Sequence, residues 1–565
     1  MRKHILFFAL LAIACHAYCQ SDMQVKNLAA FCKYWGFLKY YHPATSKHNI
    51  DWDTVLVNNY PKVKAAKTKE NFNAVLLSIS KKLGELKPVT HPFNPPDSLS
   101  INADFKWMED TTVINSQTCE YLKRIKKNHK PFNNKYIGVS FLGGNTLIKE
   151  KPYPEMVYPN EAYRFLALAR YWNIIDYYYP DKYLMDNDWN LSLEKAIPIF
   201  FGALDKEDYY RAIEWITART NDSHADWVTR PYIDSSYKTP PIGIFYHNDS
   251  LTITYIINDS IANLFNIKTG DTIISINGKS VREIWQDVKE HHSASNESHA
   301  EYAYANSSFM TRSKQDSSIL VIIREGKKIQ TKMKNYSIKE IMEIWKYQKQ
   351  KSHPSCSIRT DTLSGKKYGY LNMGTLKGKD VNRFLKQMKS IDYLVLDIRN
   401  YPAHFAWPKL ANKLITGNKY VAKYTEPDYS YPGYIKYNPN IFIGGIFKNT
   451  IGTNGKNHYR GKVIILIDHS TQSQAEYETM TLSLAPNTTI IGTQTSGADG
   501  DVCTVVFPGN YKNTFTEIGW FYADGRQTQR IGIVPDIKVE YTVQSQLSGT
   551  DPVMQRTLEY IRNGK

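Results

Sequence analysis

A long internal repeat constrains the fold of this chain more than any other sequence feature. Residues 28–86 align with residues 165–223 at a constant offset of 137 positions. The alignment superimposes three aromatic clusters, which are Tyr34-Trp35 on Tyr171-Trp172, Tyr40-Tyr41-His42-Pro43 on Tyr177-Tyr178-Tyr179-Pro180, and Asp51-Trp52 on Asp188-Trp189. Each copy has the pattern of a helix, a proline-terminated turn and two further helices. The sequence therefore predicts a duplicated helical domain, with a first copy and a strand-rich extension over 21–150 and a second copy over 155–236.

The first twenty residues have the composition of an export signal. Arg2 and Lys3 precede an apolar run from Ile5 to Ala14, and small residues follow it. The run is shorter than the roughly 20 apolar residues that a membrane-spanning helix needs. We predict a signal peptide over 1–20 and export to the periplasm, the cell surface or the medium. Ordinary cleavage is favoured, and the alternative is lipidation of Cys15, which would give peripheral membrane association.

Composition narrows the classes of partner and cofactor. The chain has 565 residues, which exceeds one domain, and its 71 Lys and Arg against 54 Asp and Glu give a net charge of +17. The basic residues are scattered, whereas a nucleic-acid-binding surface would cluster them, so we predict no nucleic-acid partner. After the signal segment, the cysteines are widely spaced and none forms a CxxC pair, which indicates that they do not form a zinc site. One or two disulfides can form in an oxidising compartment, and the sequence leaves their pairing open.

Residues 238–335 change to a pattern of short strands. The predicted strands are Leu251–Ile256, Thr272–Ile276 and Ser318–Ile323, and a Gly270-Asp271 turn and an Asn277-Gly278 turn enclose the middle strand. This segment therefore predicts a separate β domain.

The order of these turns and strands is similar to the centre of a PDZ-type domain. Such domains capture the carboxyl end of a peptide by strand addition. The resemblance places the peptide-binding loop near Gly243 and Ile244. A structural β sandwich without a ligand is the alternative interpretation.

The last segment, residues 336–565, alternates strands and helices. In chain order we predict a strand, a helix, two strands, a helix and a strand, over Tyr368–Met373, Asp380–Met388, Tyr393–Ile398, Lys462–Asp468, Ala475–Leu484 and Thr489–Gly492. Such alternation is typical of an α/β core with parallel strands. The whole chain is thus predicted to be a multidomain α+β protein.

The strongest candidate for chemistry lies where a buried strand turns into a helix at Ser473. A serine at a helix start has an accessible hydroxyl next to unpaired backbone N–H groups, which stabilise an oxyanion. Ser473 and Glu476 also have the spacing of a capping box, which would only close the helix end. The local sequence leaves both interpretations open.

The C-terminal motifs resemble those of the tail-specific, or C-terminal processing, serine peptidases and their tricorn-type branch. Four motifs occur in the family's order: Asp397-Ile398-Arg399-Asn400, Thr471-Gln472-Ser473-Gln474-Ala475-Glu476, Gly492-Thr493-Gln494-Thr495-Ser496-Gly497 and Gly532-Ile533-Val534-Pro535-Asp536-Ile537. The resemblance implies a crotonase/Clp-like peptidase core, Ser473 as nucleophile, a peptide or protein substrate, and no metal or other cofactor.

The general base that the resemblance implies is His224. The processing branch uses a Lys after the turn that follows the nucleophile, but position 498 is Ala. The tricorn-type branch instead takes a His preceded by Ser from the helical domain, and Ser223-His224 matches that arrangement. A His can accept the serine proton at neutral pH and return it to the leaving amine.

Two departures from the family concern the groups that support Ser473 and His224. Gln529 stands nearest the position of the family's glutamate, so we predict that Ser223 and Gln529 orient the base, with Asp524 or Glu517 as substitutes. The family's Gly-Gly oxyanion turn is replaced by Tyr401-Pro402-Ala403-His404, and Pro402 has no N–H. The predicted oxyanion donors are therefore the backbone N–H groups of Gln474 and Ala403, with His404 as the alternative to Ala403.

Two functions from different classes follow from these residues. The leading hypothesis is an exported serine peptidase with a Ser-His mechanism. The alternative is a non-catalytic peptide-binding protein on a decayed peptidase fold.

A further group of histidines, His291, His292 and His299, lacks the pattern of a metal site. We interpret these residues as part of a solvated loop.

Overall fold

A computed structural model of the chain describes residues 2–47, 49–90, 92, 99–139, 146–231, 237–337, 339–341, 343, 355–388, 390–438, 442–443, 447–448, 450–455 and 458–564. Among these residues, no helix combines the length and the hydropathy that are needed to cross a lipid bilayer. Within the described ranges, Cys32, Cys119, Cys356 and Cys503 form no disulfide bond.

The N-terminal region is mainly helical. Its helices are α1 (Arg2–Tyr41), α2 (Trp52–Ala65), α3 (Lys69–Leu83), α4 (Ser116–Lys127), α5 (Glu161–Tyr178), α6 (Trp189–Gly202) and α7 (Lys206–Ala218). Short strands β1 (Leu99–Ile101), β2 (Ile137–Val139) and β3 (Thr146–Ile148) lie between the two copies of the repeat. Single turns of 3₁₀ helix occur at Pro43–Ser46, Lys106–Glu109, Lys182–Leu184 and Ser223–Ala225. The last of these turns carries His224.

The two copies of the repeat form the same internal contacts. In the first copy the indole N–H of Trp35 donates to the carbonyl of Trp52 at 2.8 Å, and Trp52 donates back to Trp35 at 3.0 Å. In the second copy Trp172 and Trp189 exchange the same two bonds at 2.8 and 3.1 Å. Both indole pairs are stacked within 10° of parallel. The aromatic clusters therefore serve core packing between helices.

A buried ion cluster joins the first copy to the second. Glu150 pairs with Lys39 of α1 and, at 3.2 Å, with Arg170 of α5, and Arg170 also pairs with Asp53 of α2. All four side chains are at most 2% exposed. Because buried charges are stabilised only by their partners, each member of the cluster depends on the others.

Replacing Glu150 with glutamine is expected to lower the free energy of unfolding of the helical region by about 3–5 kcal/mol. The amide keeps the shape of the carboxylate but leaves Lys39 and Arg170 short of a counter-charge. Thermal and urea unfolding followed by circular dichroism at 222 nm measure the change. The control is Glu155→Gln at an exposed site, which should change stability by less than about 0.5 kcal/mol. Equal effects of the two substitutions would contradict this account of the cluster.

The following segment forms a separate antiparallel sheet. Its strands are β4 (Lys238–Thr239), β5 (Ile242–His247), β6 (Ser250–Ile256), β7 (Thr272–Ile276), β8 (Lys279–Ser280), β9 (Ser317–Arg324), β10 (Lys327–Lys334) and β11 (Tyr336–Ser337). Its helices are α8 (Asp259–Leu264), α9 (Val281–His291) and α10 (Glu297–Ala300), followed by a π-helical turn at Glu301–Ala305 and a 3₁₀ turn at Ser308–Met310. The main strand order is β10-β9-β7-β6-β5, so β5 lies at the edge. The three strands predicted here are present, and the PDZ-like assignment stays a prediction.

The C-terminal segment contains the predicted parallel α/β core. Its strands begin with β12 (Cys356–Thr360), β13 (Lys367–Asn372), β14 (Tyr393–Asp397), β15 (Lys419–Tyr420), β16 (Ala422–Pro427), β17 (Tyr434–Asn438), β18 (Phe442–Ile443), β19 (Phe447–Lys448) and β20 (Thr450–Ile451). They continue with β21 (Lys462–Ile467), β22 (Thr488–Gly492), β23 (Val502–Phe507), β24 (Tyr511–Thr516), β25 (Gly519–Tyr522) and β26 (Ile537–Lys538). The helices are α11 (Gly378–Gln387), α12 (Trp407–Leu414), α13 (Gln474–Leu482), α14 (Val543–Ser548) and α15 (Pro552–Asn563).

The core sheet positions the candidate nucleophile. Its order is β12-β13-β14-β21-β22-β26, and every neighbouring pair from β13 to β26 is parallel. The carboxyl ends of parallel strands meet at one edge of a sheet, which is where open α/β sheets bind ligands. The chain passes from β21 into α13 at that edge, and Ser473 lies at the junction.

A hairpin from the C-terminal segment packs into the N-terminal helices. Strands β23 and β24 pair antiparallel, and their inward side chains belong to the same hydrophobic core as the helical repeats: Cys503, Val505, Phe507, Tyr511 and Phe515. The backbone of Lys512 also exchanges hydrogen bonds with Thr229, at 2.7 and 3.0 Å. The hairpin therefore holds the turn that carries His224 against the segment that carries Ser473.

Candidate active site

Ser473 occupies a strained turn between β21 and α13. Its backbone has φ 57° and ψ −127°, a region that residues with a Cβ adopt only at an energetic cost. Its N–H donates to the carbonyl of Ala498 at 2.9 Å, which fixes the turn. A serine on a sharp, strained strand-to-helix turn is the arrangement that exposes a nucleophilic hydroxyl.

Glu476 holds this turn from inside the protein. Its buried carboxylate accepts hydrogen bonds from the backbone N–H groups of Ser473, Gly497 and Ala498, at 3.3, 2.9 and 3.0 Å, and from the hydroxyl of Thr495. Burial raises the pKa of Glu476, and these hydrogen bonds oppose that shift. Glu476 thus has a structural role at the helix start, and that role is compatible with a nucleophile at Ser473.

The predicted oxyanion donors lie on two segments at this edge of the sheet. Gln474 is the first residue of α13, where backbone N–H groups have no intrahelical acceptor. Ala403 lies in the irregular segment between β14 and α12 and is exposed, beside buried Pro402. The hydroxyl of Ser470 donates to the carbonyl of Arg399 at 2.7 Å, which joins the two segments.

His224 lies in the short 3₁₀ turn after α7, and its side chain is 9% exposed. Its Nδ1 is 2.8 Å from the hydroxyl of Thr516, and its carbonyl accepts a hydrogen bond from the hydroxyl of Thr514. Burial lowers the pKa of His224, and the nearby carboxylates of Asp222 and Asp226 oppose that shift. The imidazole is therefore neutral at physiological pH, as a general base must be.

Ser223 fixes the position of the turn without contacting the imidazole. Its hydroxyl donates to the carbonyl of Ser496 at 3.0 Å and accepts from the N–H of Ser295 at 2.9 Å. Its carbonyl accepts from the side-chain amide of Gln472 at 3.2 Å. Gln472 immediately precedes Ser473, so this bond links the candidate base directly to the loop of the candidate nucleophile.

The structure brings Ser473 and His224 to neighbouring loops but does not join them by a hydrogen bond. Within the described part of the chain, no hydrogen bond connects the Ser473 side chain to the imidazole. Catalytic hydrogen bonds are often long in a protein without substrate and shorten in the complex. The present geometry is therefore compatible with a Ser-His pair that closes when a substrate binds.

Gln529 contacts a carboxylate rather than the base. The side chain is fully buried, and its amide donates to Oδ1 of Asp222 at 3.2 Å. Of the proposed substitutes, Asp524 is exposed and pairs with Arg526, and Glu517 accepts a hydrogen bond from Tyr429. The groups nearest His224 Nδ1 are Thr516 and Asp222, which sequence reasoning missed. Asp222 could have been noticed from its place two residues before His224, but Thr516 is 292 positions away.

The interpretation of His292 and His299 as solvated was wrong, because both side chains are buried. His299 Nδ1 is 2.9 Å from the hydroxyl of Ser496, in the loop that follows the nucleophile helix. His292 stacks on Tyr304 with ring centroids 5.0 Å apart. These residues pack the β domain against the candidate site.

The predicted peptide-binding residues Gly243 and Ile244 lie on β5, at the edge of the β domain's sheet. The register of β5 against β6 shifts between these two residues, which marks a β-bulge. An edge strand offers backbone N–H and C=O groups for pairing with another chain. The placement is compatible with strand addition, and the binding role stays a prediction.

Comparison with known proteins identifies the C-terminal segment. Residues 367–539 match the model of peptidase family S41, which confirms the predicted resemblance to serine-type peptidases. The matched range contains Ser473, Gln474, Ala403 and Gln529, and it does not contain His224. No curated protein matches the chain at a significant level.

Solved structures of CPAF share the fold, and a further match has a lower TM-score. Mature CPAF in complex with lactacystin has 14% identity and a TM-score of 0.54, and the match covers 71% of this chain and 97% of that chain. Mature CPAF alone gives 14% identity, a TM-score of 0.54, and coverage of 71% and 96%. The photosystem II D1 C-terminal processing protease gives 14% identity, a TM-score of 0.35, and coverage of 66% and 92%. At such low identity, the likeness to CPAF describes the fold alone.

Proposed function

We propose that this chain, in which residues 367–539 form a peptidase family S41 domain, is an exported serine peptidase that uses Ser473 as nucleophile and His224 as base. The observation that carries the proposal is the bond between Gln472 and the carbonyl of Ser223. The bond supports the proposal because it connects the residue before His224 to the residue before Ser473, so the buried imidazole and the strained serine lie on turns that are hydrogen-bonded to each other. This combination is the arrangement that serine nucleophiles require.

The proposed reaction is acyl transfer. The Ser473 hydroxyl attacks the peptide carbonyl while His224 takes its proton, and the negative oxygen is stabilised by the N–H groups of Gln474 and Ala403. His224 then gives the proton to the leaving amine. A water molecule, activated by the same imidazole, releases the acyl group from Ser473 and restores the enzyme. No step requires a cofactor.

The proposal extends to delivery of the substrate and location of the enzyme. Support for peptide capture comes from β5, because this strand is the last in the order of its sheet and carries Gly243 and Ile244. Support for export comes from the basic and apolar composition of residues 1–20. Amino-terminal sequencing of the mature protein tests the cleavage, and a mature chain that still begins at Met1 would contradict it.

Hydrolysis of a quenched-fluorescent peptide library by the purified mature protein tests the proposed activity. The expected result is cleavage that mass spectrometry assigns to peptide bonds and that Ser473→Ala abolishes. Binding of peptides without cleavage, in a protein shown to be folded, would favour the non-catalytic alternative.

The acid limb of the activity profile is expected below pH 6.5. Burial lowers the pKa of His224, so the base loses activity only when the pH falls through that lowered value. The charged or titratable groups facing the imidazole are Asp222, Asp226, His299 and Asp501. The measurement is kcat/KM from pH 4.5 to pH 9 at constant ionic strength. An acid limb centred above pH 7 would contradict the assignment of a buried His224 as the base.

A further inference from the structure

We propose that Asp222, acting through the hydroxyl of Thr516, orients His224 and supplies the negative charge that stabilises its protonated form. The catalytic role of Asp222 and Thr516 rests on the proposed peptidase function. It assigns the supporting role to a positioning pair, Asp222 and Thr516, instead of to Gln529.

The geometry is a two-step hydrogen-bonded chain. The Thr516 hydroxyl lies 2.8 Å from Nδ1 of His224 and donates to Oδ1 of Asp222, also at 2.8 Å. The direct separation of Nδ1 and Oδ1 is 4.0 Å, which is too long for a hydrogen bond. The hydroxyl therefore bridges the imidazole and the carboxylate.

This chain fixes the tautomer of His224. A threonine hydroxyl has one proton, and an ionised carboxylate only accepts, so the hydroxyl donates to Asp222. Its oxygen must then accept a hydrogen bond from Nδ1–H of the imidazole. Nε2 is left without a proton, which is the state that accepts the proton of a serine hydroxyl.

The carboxylate of Asp222 is held in place by hydrogen bonds from several directions. Its carboxylate is fully buried and accepts three further hydrogen bonds: the N–H of Thr516 at 2.6 Å, the N–H of His224 at 3.0 Å and the amide of Gln529 at 3.2 Å. Thr516 contributes both its backbone and its side chain, so β24 and the His224 turn are locked together.

A second carboxyl group, that of Asp181, is buried within electrostatic range of Asp222. Asp181 is fully buried, and within the described residues neither of its carboxylate oxygens has a hydrogen-bond partner. Burial, together with the charge of Asp222, raises the pKa of Asp181 to about 8. Asp181 is therefore mostly neutral at pH 7. The phenols of Tyr171, Tyr179 and Tyr304 also face Asp222.

The side-chain amide of Gln529 is consistent with the assignment of Asp222 as the carboxylate that supports His224. It donates a hydrogen bond to Asp222, whereas a glutamate there would accept and would add a like charge beside Asp222. We therefore expect Gln529→Glu to lower kcat by about 10-fold or more. An increase in kcat would overturn the inference, because it would show that a carboxylate is needed at position 529.

Thr516→Val removes the hydroxyl of Thr516 and keeps the shape of the side chain. The substitution should lower kcat by about 10²–10⁴-fold with little change in KM, because the base loses its orientation. Thr516→Ser should retain most of the activity. Thr504→Val on the paired strand, at an exposed site, is the matched control. Equal kcat for the Thr516→Val enzyme and the wild type would overturn the proposal.

Titration of His224 by NMR tests whether Asp222 stabilises the protonated imidazole, and it does not require a catalytically active protein. In the Ser473→Ala protein with isotope-labelled histidine, Asp222→Asn is expected to lower the pKa of His224 by about one to three units and to shift Nδ1–H. An unchanged pKa in a folded protein would overturn the inference. A lowered pKa in this experiment, together with a wild-type protein that hydrolyses no peptide, would support the Asp222 contact and contradict only the proposed peptidase function. Circular dichroism melting curves establish that each variant is folded.

Discussion

Replacement of Ser473 by alanine is expected to lower kcat for peptide hydrolysis by about 10⁴–10⁶-fold and to leave KM nearly unchanged. The hydroxyl is the only group in the proposed mechanism that forms a covalent bond to the substrate, and loss of a serine nucleophile in other peptidases has effects of this order. The measurement is steady-state hydrolysis of a peptide substrate identified from the library. Ser483→Ala, in the residue that ends α13, is the matched control and should retain full activity.

Ser473→Gly distinguishes loss of the nucleophile from loss of the fold. Glycine adopts a positive φ without the cost that a Cβ imposes, which is of the order of 1–3 kcal/mol at such sites. The glycine variant should therefore be as inactive as the alanine variant and melt at a higher temperature than the wild type. Substantial hydrolysis by either variant would contradict the assignment of Ser473.

Replacement of His224 by alanine is expected to lower kcat by about 10⁴–10⁶-fold as well. Without the imidazole, no group takes the proton of Ser473 at neutral pH, and the nucleophile stays a neutral hydroxyl. The double variant Ser473→Ala/His224→Ala should be no less active than the single variants, because the two residues act as one unit. His247→Ala, at an exposed site on β5, is the control.

A large additional loss in the double variant would contradict a shared role for Ser473 and His224. A loss of less than about 10-fold in His224→Ala would show that another group serves as base. The S41 match does not extend to His224, so this experiment also tests whether the helical region contributes to the site.

Local sequence patterns predicted the elements of this fold because each depends on neighbouring residues. The offset of 137 predicted the helical repeat, and the equivalent residues Asp51 and Asp188 cap equivalent helices through their side chains. The repeat also explains a contact that was not predicted. Gly36 of α1 and Asn173 of α5 are equivalent in the two copies, and a Cβ on Gly36 would lie 1.8 Å from the Asn173 side chain. The helices therefore approach closely at one pair of equivalent positions.

The environment of the candidate base could not be predicted in the same way. Thr516 meets His224 only because the β23–β24 hairpin packs into the helical core, and no local pattern encodes that packing. The contact of Gln529 with Asp222 depends on the same docking. Sequence motifs predicted Ser473 and His224 as candidates, whereas the contacts of Thr516 with His224 and of Gln529 with Asp222 follow from long-range tertiary packing.

Covalent labelling by a fluorophosphonate probe tests whether His224 activates Ser473. The purified mature protein is treated with the probe, and the labelled peptide is identified by mass spectrometry, with His224→Ala and His247→Ala treated in parallel. We expect labelling at Ser473 in the wild type and in His247→Ala, and a loss of labelling in His224→Ala. Absence of labelling at Ser473 in the folded wild-type protein, or equal labelling in His224→Ala, would contradict the activation of Ser473 by His224.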